Sequence, residues 1–185
     1  MTRTISTRLA VEGEAQYKQA VSSCNSELST LKSALALVES EFRGNANSME
    51  ALTAKGNALD AMYQKQQEKV SMLQQALQNA QRAQEEYAAR VSAAQGNIER
   101  CEQALETLRR SAGDTSQEQQ ELTRELDKWN AELEEAQAGQ TAAERGVQNW
   151  QKQLNNAKVE LNGLSDEIGK NNSYLDEARN SADGC

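Results

Sequence analysis

Three thiols, Cys24, Cys101 and Cys185, are the residues best suited to metal or redox chemistry in a 185-residue chain that contains no histidine. Their spacing gives no CxxC pair, and without an imidazole the usual zinc sets cannot be completed. Cys24 and Cys101 fall instead on the apolar rhythm of the chain, where a thiol packs as a small hydrophobe. The abundant Glu and Gln occupy polar helical faces, and no histidine is present to act as a general base. No GxxxxGK[ST] phosphate loop, GxSxG elbow or HExxH pair occurs. Asn171-Asn172-Ser173 matches the N-x-[ST] glycan-acceptor pattern. That pattern is short, and a chain without a secretory signal does not meet the modifying enzymes. Met49, Met62 and Met72 read as seam or flank packing. No catalytic, cofactor-binding or metal-binding residue is assigned, no cofactor is expected, and an enzymatic role is not expected.

The totals point to extent rather than to a core. The chain has no Pro, 26% charged residues and 4% aromatics, too little bulky apolar stock for an ordinary globular domain. An elongated molecule is expected. The formal charge of −8 repels nucleic-acid phosphates and anionic membrane faces, and the longest basic run is Arg109-Arg110, so direct nucleic-acid binding is not expected. No apolar run is long enough to span a bilayer, and the start lacks the pattern of a signal peptide, which predicts a product made in the cytoplasm without membrane contact by this segment. Cys185 follows Ala182-Asp183-Gly184 with no stop logic, as if cut from something longer.

What must position these residues is a set of long helices. From Leu52 to Leu108 the apolar residues recur in steps of four and three: Leu52, Leu59, Tyr63, Val70, Leu73, Leu77, Tyr87, Val91, Ile98, Leu105 and Leu108, with Ala80, Ala94 and Cys101 between. A period of 3.5 held over about eight heptads keeps one seam facing a partner only in a left-handed coiled coil. The same rhythm runs earlier through Tyr17, Val21, Cys24, Leu28, Leu31, Leu35, Val38 and Phe42. It returns later through Leu122, Leu126, Trp129, Leu133, Val147, Trp150, Leu154, Leu161, Leu164, Ile168 and Leu175. The fold class predicted is all-α. Residues 1–13 form an N-terminal strand or a flexible leader, because Ile5, Thr7, Leu9 and Val11 alternate with polar residues. Residues 14–43 form a first coiled-coil helix, 49–111 a long central helix, 116–180 a third long helix and 181–185 a truncated tail.

Two breaks divide the helices. At the first, Gly44 is placed to take the left-handed conformation, Asn45 lies in the turn, and Ser48 or Asn47 caps the next helix. At the second, Gly113 stops the central helix while Asp114 or Ser116 caps the third, Ser116 and Gln119 having capping-box spacing. Two arrangements remain open, a continuous rod and a hairpin folded at Gly113. The hairpin is favoured, since it sets Gln84 near Ala143, Ala80 near Val147 and Ala94 near Leu133. It also brings the basic edge of Lys55, Lys69 and Arg90 against the acidic edge of Glu118, Glu125, Glu132, Glu160 and Glu167. The unbroken heptad phase across both breaks is what a rod would need. Gly56, Gln66, Gln84, Gln119, Gln140 and Asn171 interrupt the seam and read either as register control or as a device for sliding and partner exchange.

Short phrases add a resemblance. Ala10-Val11-Glu12-Gly13-Glu14-Ala15-Gln16-Tyr17-Lys18, then Leu37-Val38-Glu39-Ser40-Glu41-Phe42-Arg43-Gly44-Asn45-Ala46-Asn47-Ser48 with Glu50-Ala51-Leu52-Thr53-Ala54-Lys55, and the ending from Asn171 to Ala178 resemble the amino-terminal region of tail tape measure proteins. These serve long-tailed phages and prophages of Gram-positive bacteria. The likeness covers nearly all of the chain, but only these phrases are specific; the Gln- and Glu-rich heptads would match any coiled coil. The resemblance implies a structural protein of the virion tail that occupies the tail tube lumen, sets tail length during assembly and leaves before DNA passes. Tail tube and tail assembly proteins are the partners it implies, and the heptads predict a fragment that is oligomeric or hairpin-folded. The competing reading is the coiled-coil arm of a chromosome-segregation ATPase or another cytoplasmic helical adaptor. Such an arm joins ATP-binding heads, and no phosphate loop lies at either end.

Overall fold

The computed structural model describes residues 13–111 and 115–183. Residues 1–12 of the strand or leader expected at 1–13, the hinge residues Gly113 and Asp114, and Cys185 lie outside the described residues. What is described is all-α: α1 (Glu14–Glu41), α2 (Met49–Arg110) and α3 (Ser116–Asp183). Ala, Gln, Glu, Leu and Lys dominate these segments, and all have high helix propensity. At 1.5 Å rise per residue the 62 residues of α2 extend over about 93 Å.

The helix ends show why the expected boundaries move by one to three residues. Gly13 precedes α1 at φ 86°, its carbonyl accepting the Tyr17 N–H at 3.0 Å, and Glu14 puts a negative charge in the first turn, where the helix dipole favours it. Gly44 does not take the left-handed role expected of it, since Gly13 is the only positive-φ residue among those described. The end of α1 tightens instead. Phe42 N–H donates to Val38 O at 3.1 Å, Arg43 N–H to Ser40 O at 3.4 Å and Asn45 N–H to Phe42 O at 2.8 Å, which satisfies the last carbonyls without a left-handed residue. Ser48 caps α2, its Oγ accepting the Ala51 N–H at 3.2 Å. Arg109 and Arg110 occupy the last turn of α2, where cations suit the dipole. Ser116 is the first residue of α3 rather than its cap. Thr115 precedes it, taking the Gln119 N–H on its carbonyl at 2.9 Å and the Gln119 side chain on its hydroxyl at 2.8 Å.

The chain divides into two compact units, Gly13–Ala76 with Asn149–Cys185, and a second that includes Leu77–Gln148. The first unit packs α1, the amino-terminal part of α2 and the carboxy-terminal part of α3. Its interior holds Val21, Cys24, Leu28, Leu52, Leu59, Met62, Val70, Leu73, Trp150 and Leu154, all buried. Leu59 and Leu73 are fully enclosed, each contributing about 1.5–3 kcal/mol relative to exposure.

The second unit has only the remaining parts of α2 and α3. Its buried residues, apart from Leu77, are small: Ala80, Ala94, Cys101, Ala136, Gly139 and Ala143. The larger seam residues Tyr87, Val91, Ile98, Leu105, Leu108, Leu122, Leu126, Trp129, Leu133 and Val147 are half-buried. Two helices shield one narrow stripe; a third helix is what encloses a large side chain on all sides.

Candidate functional site

The candidate site is the set of contacts that align one helix on another, together with the surface around the α1–α2 turn. None of the expected seam residues within the described region is exposed: Leu31, Leu35, Val38, Phe42, Tyr63, Leu161, Leu164, Ile168 and Leu175 are half-buried, alongside those already placed. Met62 is buried, but Met49 is 43% exposed and does not pack on the seam.

Two buried polar side chains align α2 and α3 in the first unit. Gln66, 1% exposed, donates from Nε2 to the Ala157 carbonyl and to Glu160 Oε2, both at 2.9 Å. Glu160 also takes Lys69 at 3.4 Å, so amide, carboxylate and ammonium form one chain of bonds across the pair. Asn171, 3% exposed, donates from Nδ2 to Leu52 O at 2.9 Å, while its Oδ1 is buried with no partner. Gly56 makes room for it: a Cβ there would stand 3.1 Å from Asn171 Nδ2. In these contacts the numbers fall along α2 as they rise along α3, so the two segments run antiparallel.

The third element of this unit is held to α2 in the same sense. Cys24 Sγ donates to Lys65 O at 3.4 Å. Lys65 Nζ sits 2.8 Å from Glu27 and 2.6 Å from Glu68. Lys55 pairs with Glu39 of α1 at 2.8 Å, not with the acidic edge of α3, because α1 lies beside α2 here and competes for the ammonium. Burial pushes the Cys24 thiol up, with Lys65 opposing. The bond from Lys65, reinforced by its charge, holds the Glu27 carboxyl below its ordinary value. Bonds to Glu27 and Glu68 raise Lys65.

In the second unit Arg90 is the aligning residue. Its Nε and Nη2 donate to Glu132 Oε1 at 2.9 and 2.6 Å, and Nη2 reaches Glu135 at 3.3 Å, which keeps its guanidinium above its usual value. The same guanidinium lies 5.4 Å from the Tyr87 ring centroid. Tyr87 in turn lies against Gly139, where an added Cβ would overlap the ring, and Gly146 faces Ala80. Cys101 Sγ approaches Glu125 Oε2 at 4.0 Å. Here also the order of contact is antiparallel. Gly139 was not among the expected seam residues. Its signal was the spacing Ala136, Gly139, Ala143, a run of small residues in three-four steps.

Around the α1–α2 turn the first unit carries a cavity of about 430 Å³. Val38, Phe42, Leu52 and Tyr174 supply apolar lining, with Arg43, Lys170 and Asn171 also on its wall. Among the described residues no cluster of His, Cys, Asp or Glu is arranged to hold a metal ion, and no helix is long and apolar enough to cross a membrane. Comparison with family models, curated proteins and solved structures finds no match to the chain.

Proposed function

We propose that the chain is the amino-terminal, structural part of a tail tape measure protein, in which α2 and α3 form an antiparallel coiled-coil hairpin and α1 packs on its first section. The observation that carries the tail assignment is the resemblance of the Val11-Glu12-Gly13-Glu14 and Ser40-Glu41-Phe42-Arg43-Gly44-Asn45 phrases. The hairpin is supported by the opposed numbering of the Gln66–Glu160, Lys69–Glu160, Arg90–Glu132 and Cys101–Glu125 contacts. A fixed residue count on a helix is a fixed length, about 1.5 Å each, and aligned polar layers keep that count from slipping. Such a chain works by extent and pairing, within the tail tube, beside tail tube and tail assembly proteins and with other copies of itself.

The antiparallel order also suits the arm of a chromosome-segregation ATPase, so the two readings need a test that separates them. In-frame removal of matched heptads from the gene in its phage or prophage, followed by electron microscopy, should give shorter tails. Unchanged tails on otherwise intact virions would refute the tail assignment. Hairpin and rod are separated by spin labels on Gln81 and Arg145, both exposed, in a chain whose native cysteines are replaced by Ala and diluted with unlabelled chain. A hairpin gives a short distance, under about 25 Å, whereas 64 intervening steps along a rod span about 96 Å.

A further inference from the structure

We propose that two copies of this chain exchange α3, so that each α3 lies antiparallel on the α2 of the other copy through the contacts it otherwise makes within one chain. The register points there. In the second unit Gly146 faces Ala80, Tyr87 lies against Gly139 and Cys101 approaches Glu125. Each step along α2 is matched by an equal step back along α3, in whole heptads. Such a register is unchanged when a second copy is brought in by a two-fold axis, because the α3 of either chain offers α2 the same residues at the same positions. Exchange of an identical element between copies is a low-cost route to a dimer for that reason.

Two observations favour the exchange. The seam keeps step from α2 into α3: Leu105, Leu108, Ala112, Thr115, Gln119 and Leu122 follow one another at three and four. A hairpin has no use for this, because a turn reverses the chain and leaves the phase of each helix free. A chain whose α2 and α3 run on as one helix needs it, since both must then present one seam to the partner. Charge selects the surface that pairs. α3 carries fourteen Asp and Glu against seven Lys and Arg, whereas α2 carries eight of each. Two α3 helices therefore repel one another, while α3 of either copy suits α2, where Arg90 takes Glu132 and Lys69 takes Glu160. A second copy is thus steered to the α2–α3 pairing already present in one chain.

The inference rests on the hairpin contacts and self-association of the proposed function and gives the latter its form. In the test, a chain spin-labelled only at Gln81 is mixed with one labelled only at Arg145, each with its native cysteines replaced by Ala. The mixture is unfolded and refolded at about 10 μM and at about 1 mM, below and near the effective concentration of a tethered pair, and monomer and dimer are separated by size. A dimer fraction that grows with concentration is expected, with a short distance between the two labelled chains in it. Gly113→Ala should tighten the dimer about tenfold or more, since each of its two links gains a better helix former, and Gly113→Pro should weaken it. Circular dichroism shows that both variants keep their helices. Absence of a dimer at the higher concentration overturns the proposal, as does a dimer that both Gly113 variants leave unchanged. So does a dimer in which Gln81 and Arg145 of one doubly labelled chain stay close, because the copies then pair by another surface. A monomer with those two labels far apart refutes hairpin and exchange together; a short monomer distance without a dimer refutes the exchange alone.

Discussion

Asn171 is held by a single bond to Leu52 O, and its Oδ1 is buried without a donor. A buried acceptor left unmade costs about 1–3 kcal/mol. Asn171→Leu removes that penalty and adds apolar burial, so it should raise stability by about 1–3 kcal/mol, read from the denaturant midpoint; a loss would show that Oδ1 has a partner in solution. The opposite is expected at Gly139. Gly139→Ala gains helix propensity, but its methyl overlaps the Tyr87 ring, and overpacking costs about 1–3 kcal/mol. Adding Tyr87→Ala should remove that cost, so the two changes would be strongly non-additive; simple additivity would mean the ring does not rest on this backbone. Sequence periodicity identifies Gln66 and Asn171 as polar interruptions because side-chain type breaks the pattern. It misses Gly139, because a glycine is not counted as apolar; the three-four spacing Ala136, Gly139, Ala143 marks a small face, but what that face admits is visible only once Tyr87 stands opposite.

At the scale of elements, three helices with ends within three residues of those observed were legible, because caps and heptads are local. Gly44 was misread. A glycine after a helix permits the left-handed end but does not compel it, and the backbone closed the turn with bonds that any residue can make. The position of α1 was hidden for a related reason: Lys55 fits an acidic edge on either neighbour, and only packing decides for Glu39. Ser48→Ala should cost about 1 kcal/mol through loss of the α2 cap, checked by thermal melting. The Glu27–Lys65 bridge gives α1 a pH dependence whose sign is fixed. The carboxyl lies below its ordinary value in the folded chain, so its contribution is present above the usual carboxylate range and is lost as pH falls through the lowered value. The difference in melting temperature between the wild type and Glu27→Gln should therefore shrink as pH falls from neutrality to about 3. The pair is solvent-exposed, and the effect should also fade in high salt.

At the scale of the whole molecule, the proposed antiparallel hairpin counts residues twice, once on each helix, so its alignment survives only changes made to both. Removing residues 91–97 from α2 and 129–135 from α3 together takes one heptad from each side at matched positions. Glu125 then moves by one heptad into the place of Glu132 beside Arg90, since both lie at the same point of the repeat. Removing 91–97 alone leaves the contacts on one side of the cut a heptad out of step, with Cys101 no longer opposite Glu125 or Arg90 no longer opposite Glu132. The matched deletion should keep a single cooperative transition within a few degrees of the parent. The one-sided deletion should lose several kcal/mol of seam burial, about 5–10 °C in melting temperature for a chain of this size, and broaden the transition. Equal behaviour of the two would mean that α2 and α3 do not hold each other in register, and a length-setting role would then have to rest on the helices singly.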